Sequence, residues 1–216
     1  MKEKSKSYDS KNKNKNLTKE NNTSQKNNAT ENNNSTDSEN TLSDEELLNK
    51  VQSLLDEGKE KEGFAIFKEA ADKNNSFAIC RLAEFYLHGI GCIENPVLSA
   101  QMYKKAMDNG YMEGKYFLAT LYLDGIGVPK NKARGLKMIQ ECANENYGQA
   151  LFSLGLMYET GNYFEQDYQK AIFYYLKAGL HGVGAGYYNI GYMYNYGKGV
   201  KLDYKKAMQY CELPRP

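Results

Sequence analysis

Gly63, Ser99, Gly135, Ala171 and Ala207 fall 36 residues apart, and the same step joins Leu82, Leu118, Leu154 and Ile190. A period of this length marks one short helical unit repeated along the chain. Such a unit cannot bury its apolar face alone, so neighbouring units must stack into a solenoid with one continuous core. The chain is thereby constrained to an elongated all-α array, and an ordered surface of that kind ordinarily holds another molecule.

Within each unit the first helix is read from Ala78, Leu82, Ala83, Phe85 and Tyr86, which recur as Gly114, Leu118, Ala119, Leu121 and Tyr122 and then as Ala150, Leu154, Gly155, Met157 and Tyr158. Offsets of four, seven and eight put these residues on one helical stripe. The small column Ala83, Ala119, Gly155, Gly191 predicts a close approach by a neighbouring helix. These helices are expected to stop at Gly89, Gly125, Gly161 and Gly197, since glycine accepts the left-handed backbone that closes a helix. Second helices are expected to begin after Asn95, Asn131, Asp167 and Asp203, whose side chains can accept hydrogen bonds from the unpaired amides of a first turn. In those helices Phe67, Tyr103, Ile139 and Tyr175 form a bulky column and Ala70, Ala106, Cys142 and Ala178 a small one, as interdigitating layers require.

Upstream, Ser43 with Glu46 makes a capping-box signature ahead of Leu47, Val51 and Leu55. It predicts a degenerate first unit over residues 43–74 whose inter-helix turn is five residues shorter than the next. Regular units are expected over 75–110, 111–146 and 147–182 and an incomplete one over 183–216, where Pro214 replaces the small second-helix residue. Residues 1–41 carry 11 Asn and 8 Lys with little aliphatic content beyond Leu17 and Ala29, too little apolar surface to offset the entropy of folding. They are expected to form a disordered tail ahead of a 42–216 solenoid. No apolar stretch suggests a signal peptide or a membrane span, so a cytoplasmic or nuclear location is expected. With 28 Lys plus Arg against 27 Asp plus Glu, the chain has no net field to attract nucleic acid.

The runs Leu118-Ala119-x-x-Tyr122-x-x-Gly125-x-Gly127-Val128 and Ile190-Gly191-Tyr192-Met193-Tyr194-Asn195-Tyr196-Gly197-Lys198-Gly199-Val200 resemble the Sel-1-like repeat family, relatives of the tetratricopeptide repeats. The resemblance covers about residues 75–212. It implies a right-handed α/α superhelix of about five helix-turn-helix units, serving mainly as an adaptor or scaffold in signalling, protein quality control and host interaction. The third regular unit departs from the pattern, with Tyr163 in place of the second glycine, and a local change of turn is expected there. Cys80, Cys92, Cys142 and Cys211 share no column and no paired spacing, unlike the cysteine ladder of the family's secreted branch. They read as free thiols in scattered small core positions.

No catalytic constellation suggests itself. His88 and His181 lie in units nearly three repeats apart, and His88 with Cys92 lacks two further nearby metal ligands. Gly125-Ile126-Gly127 and Gly197-Lys198-Gly199 follow helices rather than strands, so turn geometry accounts for them in place of a phosphate loop. No catalytic, cofactor-binding or metal residue is therefore assigned.

Three columns beside the core stripe change chemistry from unit to unit: Arg81, Phe117, Ser153, Asn189, then Glu84, Thr120, Leu156, Tyr192, then His88, Asp124, Thr160, Tyr196. Variation of this kind is expected where packing does not dictate the residue. By resemblance the first helices line the concave side, so these columns are the candidate partner-binding face, charged at Arg81 and Glu84 and aromatic at Tyr192 and Tyr196. The expected role is a non-enzymatic scaffold for a protein or peptide, without cofactor, nucleic acid or membrane insertion. The alternatives are a hydrolase-type enzyme framed by the solenoid, or a fragment of a longer adaptor such as a quality-control cofactor resembling those of endoplasmic-reticulum-associated degradation.

Overall fold

The computed structural model describes residues 42–213, and the expectations for residues 1–41 and Pro214 lie outside them. Ten helices follow one another: α1 (Asp44–Asp56), α2 (Glu60–Asp72), α3 (Ser76–His88), α4 (Pro96–Asp108), α5 (Met112–Asp124), α6 (Lys132–Asn144), α7 (Gly148–Thr160), α8 (Tyr168–Leu180), α9 (Ala185–Tyr196) and α10 (Tyr204–Cys211). Each odd helix pairs with the even one after it, and each even helix packs on the next odd one. The result is an α/α solenoid of five stacked pairs. Among the described residues no helix is long and apolar enough to cross a membrane.

The caps lie where the sequence places them. Gly89, Gly125, Gly161 and Gly197 close α3, α5, α7 and α9 in the left-handed conformation. The side chains of Asn95, Asn131, Asp167 and Asp203 accept from backbone amides in the first turn of α4, α6, α8 and α10 at 3.0 Å. A further bond holds each intervening turn: the cap residue's own amide donates to the carbonyl of Tyr86, Tyr122, Tyr158 or Tyr194 at 2.7–3.0 Å. The tyrosine column therefore marks both a half-buried ring and the anchor point of the turn. Ser43 and Glu46 form the reciprocal capping box.

The link from α1 to α2 spans residues 57–59 against residues 89–95 between α3 and α4, so it is four residues shorter rather than five. The cause is that α1 ends at Asp56 and the left-handed residue, Gly58, comes one position later than in the other units.

The core follows the columns. Phe67, Tyr103, Ile139 and Tyr175 are at most 2% exposed, and Ala106, Cys142 and Ala178 are fully buried, although Ala70 is half-buried. The small column brings each pair together, since a Cβ on Gly155 would lie 2.5 Å from the Tyr175 ring and one on Gly191 2.9 Å from the Ala207 carbonyl oxygen. Between units the same device operates at Gly114 and Gly186, where an added Cβ would lie 3.0 and 2.2 Å from the carbonyl oxygens of Tyr103 and Tyr175. Glycine weakens a helix by about 1 kcal/mol, and here close packing of α5 on α4 and α9 on α8 compensates.

The second turn glycine has a separate task. Gly127 has φ +67°, and its Cβ would lie 2.0 Å from the Pro96 carbonyl oxygen, so the turn of one unit rests directly on the start of the preceding unit's second helix. At Tyr163 this contact is replaced: the ring lies beside Lys132, 5.9 Å from its ammonium, at the first residue of α6. The adjoining Phe164 stacks on Tyr158 at 4.7 Å. The local change expected at this turn is therefore an exchange of backbone contact for side-chain contact.

The thiols divide. Cys80 and Cys142 are core residues, Cys92 is half-buried, and Cys211 is exposed, contrary to its reading as a core position. All four are free.

Candidate protein-binding face

The first helices lie side by side, with α1 touching α3 and α7 touching α9. Side chains stitch their neighbouring faces together, and this decides which of the three variable columns remains available to a partner.

The column Arg81, Phe117, Ser153, Asn189 is half-buried rather than solvated. Arg81, with its side chain 12% exposed, pairs with Glu84 at 3.2 Å and with Glu113 of α5. Its guanidinium also stands 5.4 Å from the Phe77 ring. Glu113 in turn accepts from the Tyr111 hydroxyl at 3.2 Å. Phe117 stacks on Tyr103 at 5.3 Å, Ser153 shares a 2.8 Å hydrogen bond with Tyr116, and Asn189 bonds the Tyr175 side chain. The expectation that packing leaves this column free is corrected: each member faces a neighbouring unit or the helix behind it.

In the second column Glu84 is held by Arg81 and the Thr120 hydroxyl donates to the Phe117 carbonyl at 2.7 Å. Leu156 and Tyr192 are 46% and 39% exposed. The third column, His88, Asp124, Thr160 and Tyr196, is exposed throughout, and the Thr160 hydroxyl donates to the Leu156 carbonyl at 2.8 Å. The apolar part of the face is thus confined to its C-terminal half, where the Tyr192 and Tyr196 rings meet at 4.5 Å.

Two residues outside the repeat columns complete this patch. The Lys198 ammonium lies 4.8 Å from the Tyr192 ring centre and 3.8 Å from Glu159. Glu159 accepts from the Tyr175 hydroxyl at 2.6 Å. Burial, aided by that carboxylate, pushes the Tyr175 phenol above its ordinary pKa, so the hydroxyl acts here as a donor. Sequence reasoning passed over Lys198 because it sits in a turn, where no helical periodicity assigns a face. Chemically, the patch offers a flat aromatic and aliphatic surface with one cation at its edge. His88 is exposed and the Cys92 thiol donates to the Phe85 carbonyl at 3.5 Å, and among the described residues no three His, Cys, Asp or Glu side chains gather as metal ligands.

A family model for the Sel1 repeat matches residues 76–111, 113–147, 148–183 and 184–213. Among solved structures, a Sel1 repeat protein from Oxalobacter formigenes is 32% identical, with a TM-score of 0.63 over 75% of this chain and 66% of that one. A protective antigen from uropathogenic Escherichia coli, described as displaying an SLR fold, is 26% identical with a TM-score of 0.57, over 68% of this chain and 32% of that one. A putative Sel1 repeat protein from Klebsiella pneumoniae, 20% identical with a TM-score of 0.54, shares the fold over 77% of this chain and 83% of its own. The chain thus spans just under two thirds of the first of these proteins and about a third of the second. No curated protein matches it in a sequence search. The four family matches fall on the four helix pairs from α3 to α10, and the chain belongs to the Sel1 repeat family.

Proposed function

We propose that this chain is a non-enzymatic interaction scaffold that holds a protein or peptide segment on the face of its first helices, centred on Leu156, Tyr192 and Tyr196. Sel1 repeats commonly form protein-interaction scaffolds, and one observation supports this location: three large side chains from two adjacent units are 39–61% exposed on one face, while the equivalent positions nearer the N-terminus are polar or locked into ion pairs. Tyrosines on a rigid helix supply large contact area with little loss of rotamer freedom. Lys198 at the rim favours a segment carrying an aromatic or aliphatic anchor next to a carboxylate.

Peptides selected from a random displayed library against the full chain, then titrated by fluorescence anisotropy, test the proposal. The double change Tyr192→Ala with Tyr196→Ala should weaken binding by more than about 30-fold, equivalent to about 2 kcal/mol, with helicity and melting unchanged. Equal affinity for both proteins would place the binding surface elsewhere.

A further inference from the structure

Two positions four residues apart on the outer side of each second helix face solvent in every unit from α2 to α8. On α2 they hold Lys68 and Asp72, paired at 2.8 Å, and on α4 Lys104 and Asp108, paired at 2.6 Å. On α6 they hold Gln140 and Asn144. On α8 they hold Leu176 and Leu180, 37% and 69% exposed, and Phe173, 53% exposed, precedes them. Offsets of three and seven from Phe173 place all three on one stripe.

Packing within the solenoid does not account for this stripe. The core side of α8 is Ala171, Tyr175 and Ala178, all fully buried, and at about 100° per residue Phe173, Leu176 and Leu180 point to the opposite side. The positions of Leu176 and Leu180 are exposed and polar in three earlier units, and α9 and α10 already follow α8, so the exposure is a property of this face in every unit. The spacing i, i+3, i+7 is the one by which a helix anchors in an apolar groove. Charge is one-sided here: Lys170, Lys177 and His181 follow one edge of the stripe at offsets of seven and eleven, and no Asp or Glu occurs between Tyr168 and Gly184. The Lys177 ammonium stands 5.4 Å from the Phe173 ring centre, so cation and stripe form one surface. Lys170, at the start of the edge, lies 3.4 Å from the capping Asp167.

A match for this surface has to supply apolar side chains and carboxylates together. Residues 1–41 bring 8 Lys against 6 Asp plus Glu and few aliphatic side chains, and the α8 of a second copy brings further cations. An anionic lipid surface is wider than one helix, and it would also have to take up Gln140 and Asn144 of α6 and Gln209 and Glu212 of α10, which hold the corresponding positions on either side. We propose that the outer side of α8 is a second docking site, taken by an amphipathic helix of a partner protein whose apolar stripe is bordered by Asp or Glu. Phe173, Leu176 and Leu180 supply the apolar contact, and Lys170, Lys177 and His181 set the orientation by pairing with those carboxylates. The site lies on a second helix and is independent of the peptide-binding reading, which rests on Leu156, Tyr192 and Tyr196 of the first helices.

A displayed library of helical peptides of about 18 residues, with a fixed leucine stripe and randomised flanks, is selected against the full chain carrying Tyr192→Ala and Tyr196→Ala, so that the first site does not compete. The retained peptides should be enriched in Asp and Glu, and the strongest of them should bind the unsubstituted chain equally well by fluorescence anisotropy. Leu176→Gln with Leu180→Asn, the residues that α6 carries at the same positions, should weaken that peptide at least about tenfold, and Gln101→Ala on α4 less than about twofold, with circular dichroism confirming that both variants fold. Lys177→Glu should weaken it several-fold. Failure to retain any peptide, flanks without acidic enrichment, or binding indifferent to the Leu176 and Leu180 changes or to Lys177→Glu would overturn the proposal. So would a Leu176-dependent dimer in sedimentation equilibrium, which would make the occupant a second copy, or Leu176-dependent pelleting with phosphatidylserine vesicles, which would make it a lipid surface.

Discussion

Replacing Arg81 with Ala is expected to be among the most damaging single changes on the face of the first helices. The guanidinium joins α3 to α5 by pairing with Glu113, a residue 8% exposed, and it also holds Glu84 on its own helix. Removing one partner from a buried ion pair leaves the other charge without compensation, at about 3–5 kcal/mol. With the Arg81 side chain 12% exposed, solvent screening does little to reduce that figure. For an array of this size each kcal/mol lowers the melting temperature by about 2–4 °C, giving a drop of roughly 6–20 °C. Urea denaturation followed by far-ultraviolet circular dichroism at pH 7 measures the loss directly. The charge argument makes a second demand: Arg81→Met combined with Glu113→Gln, which removes both charges and leaves Tyr111 an acceptor, should return to within about 1.5 kcal/mol of the native protein. A loss below about 0.5 kcal/mol for Arg81→Ala, the range of solvated surface positions, would refute the buried pair. A double variant as unstable as the single one would show that the loss is packing rather than charge.

Gly127→Ala should destabilise by more than about 2 kcal/mol, because a left-handed backbone and a collision with the Pro96 carbonyl act together, whereas Gly110→Ala, with φ +83° and open space around its Cβ, meets only the backbone term of about 1–2 kcal/mol; urea midpoints for the two variants distinguish the contributions. Burial pushes the Cys80 thiol up to about 12 and the Cys142 thiol up to about 11, so at pH 8 a chromogenic disulfide reagent should label exposed Cys211 first and half-buried Cys92 next, and reach Cys80 and Cys142 only on the timescale of unfolding. Rapid labelling of either core thiol in the native protein would contradict the packing between α3, α4 and α5 or between α5, α6 and α7.

The sequence by itself determined the elements whose causes are local. A 36-residue step, a glycine able to adopt the left-handed backbone, and an Asn or Asp able to accept an amide hydrogen bond all act within a few residues, and together they marked where α3, α5, α7 and α9 end and where α4, α6, α8 and α10 begin. The shortened first link was legible for the same reason, in error only by the one residue that separates the end of α1 from Gly58. The tertiary structure alone decided how much of each side chain meets solvent. Arg81 and Glu113 are 32 residues apart and belong to different units, so the ion pair that takes Arg81 out of the variable face has no signature within one repeat. Cys211 stands in a buried column yet is exposed, because burial in a solenoid is conferred by the following unit and α10 has none among the described residues. Tyr163 and Lys198 act from turns, where periodicity assigns no face. Helix type and limits follow from short-range sterics and hydrogen bonding, whereas the face left open to a partner depends on which side chains of adjacent units reach one another, and that is settled only when the units stack.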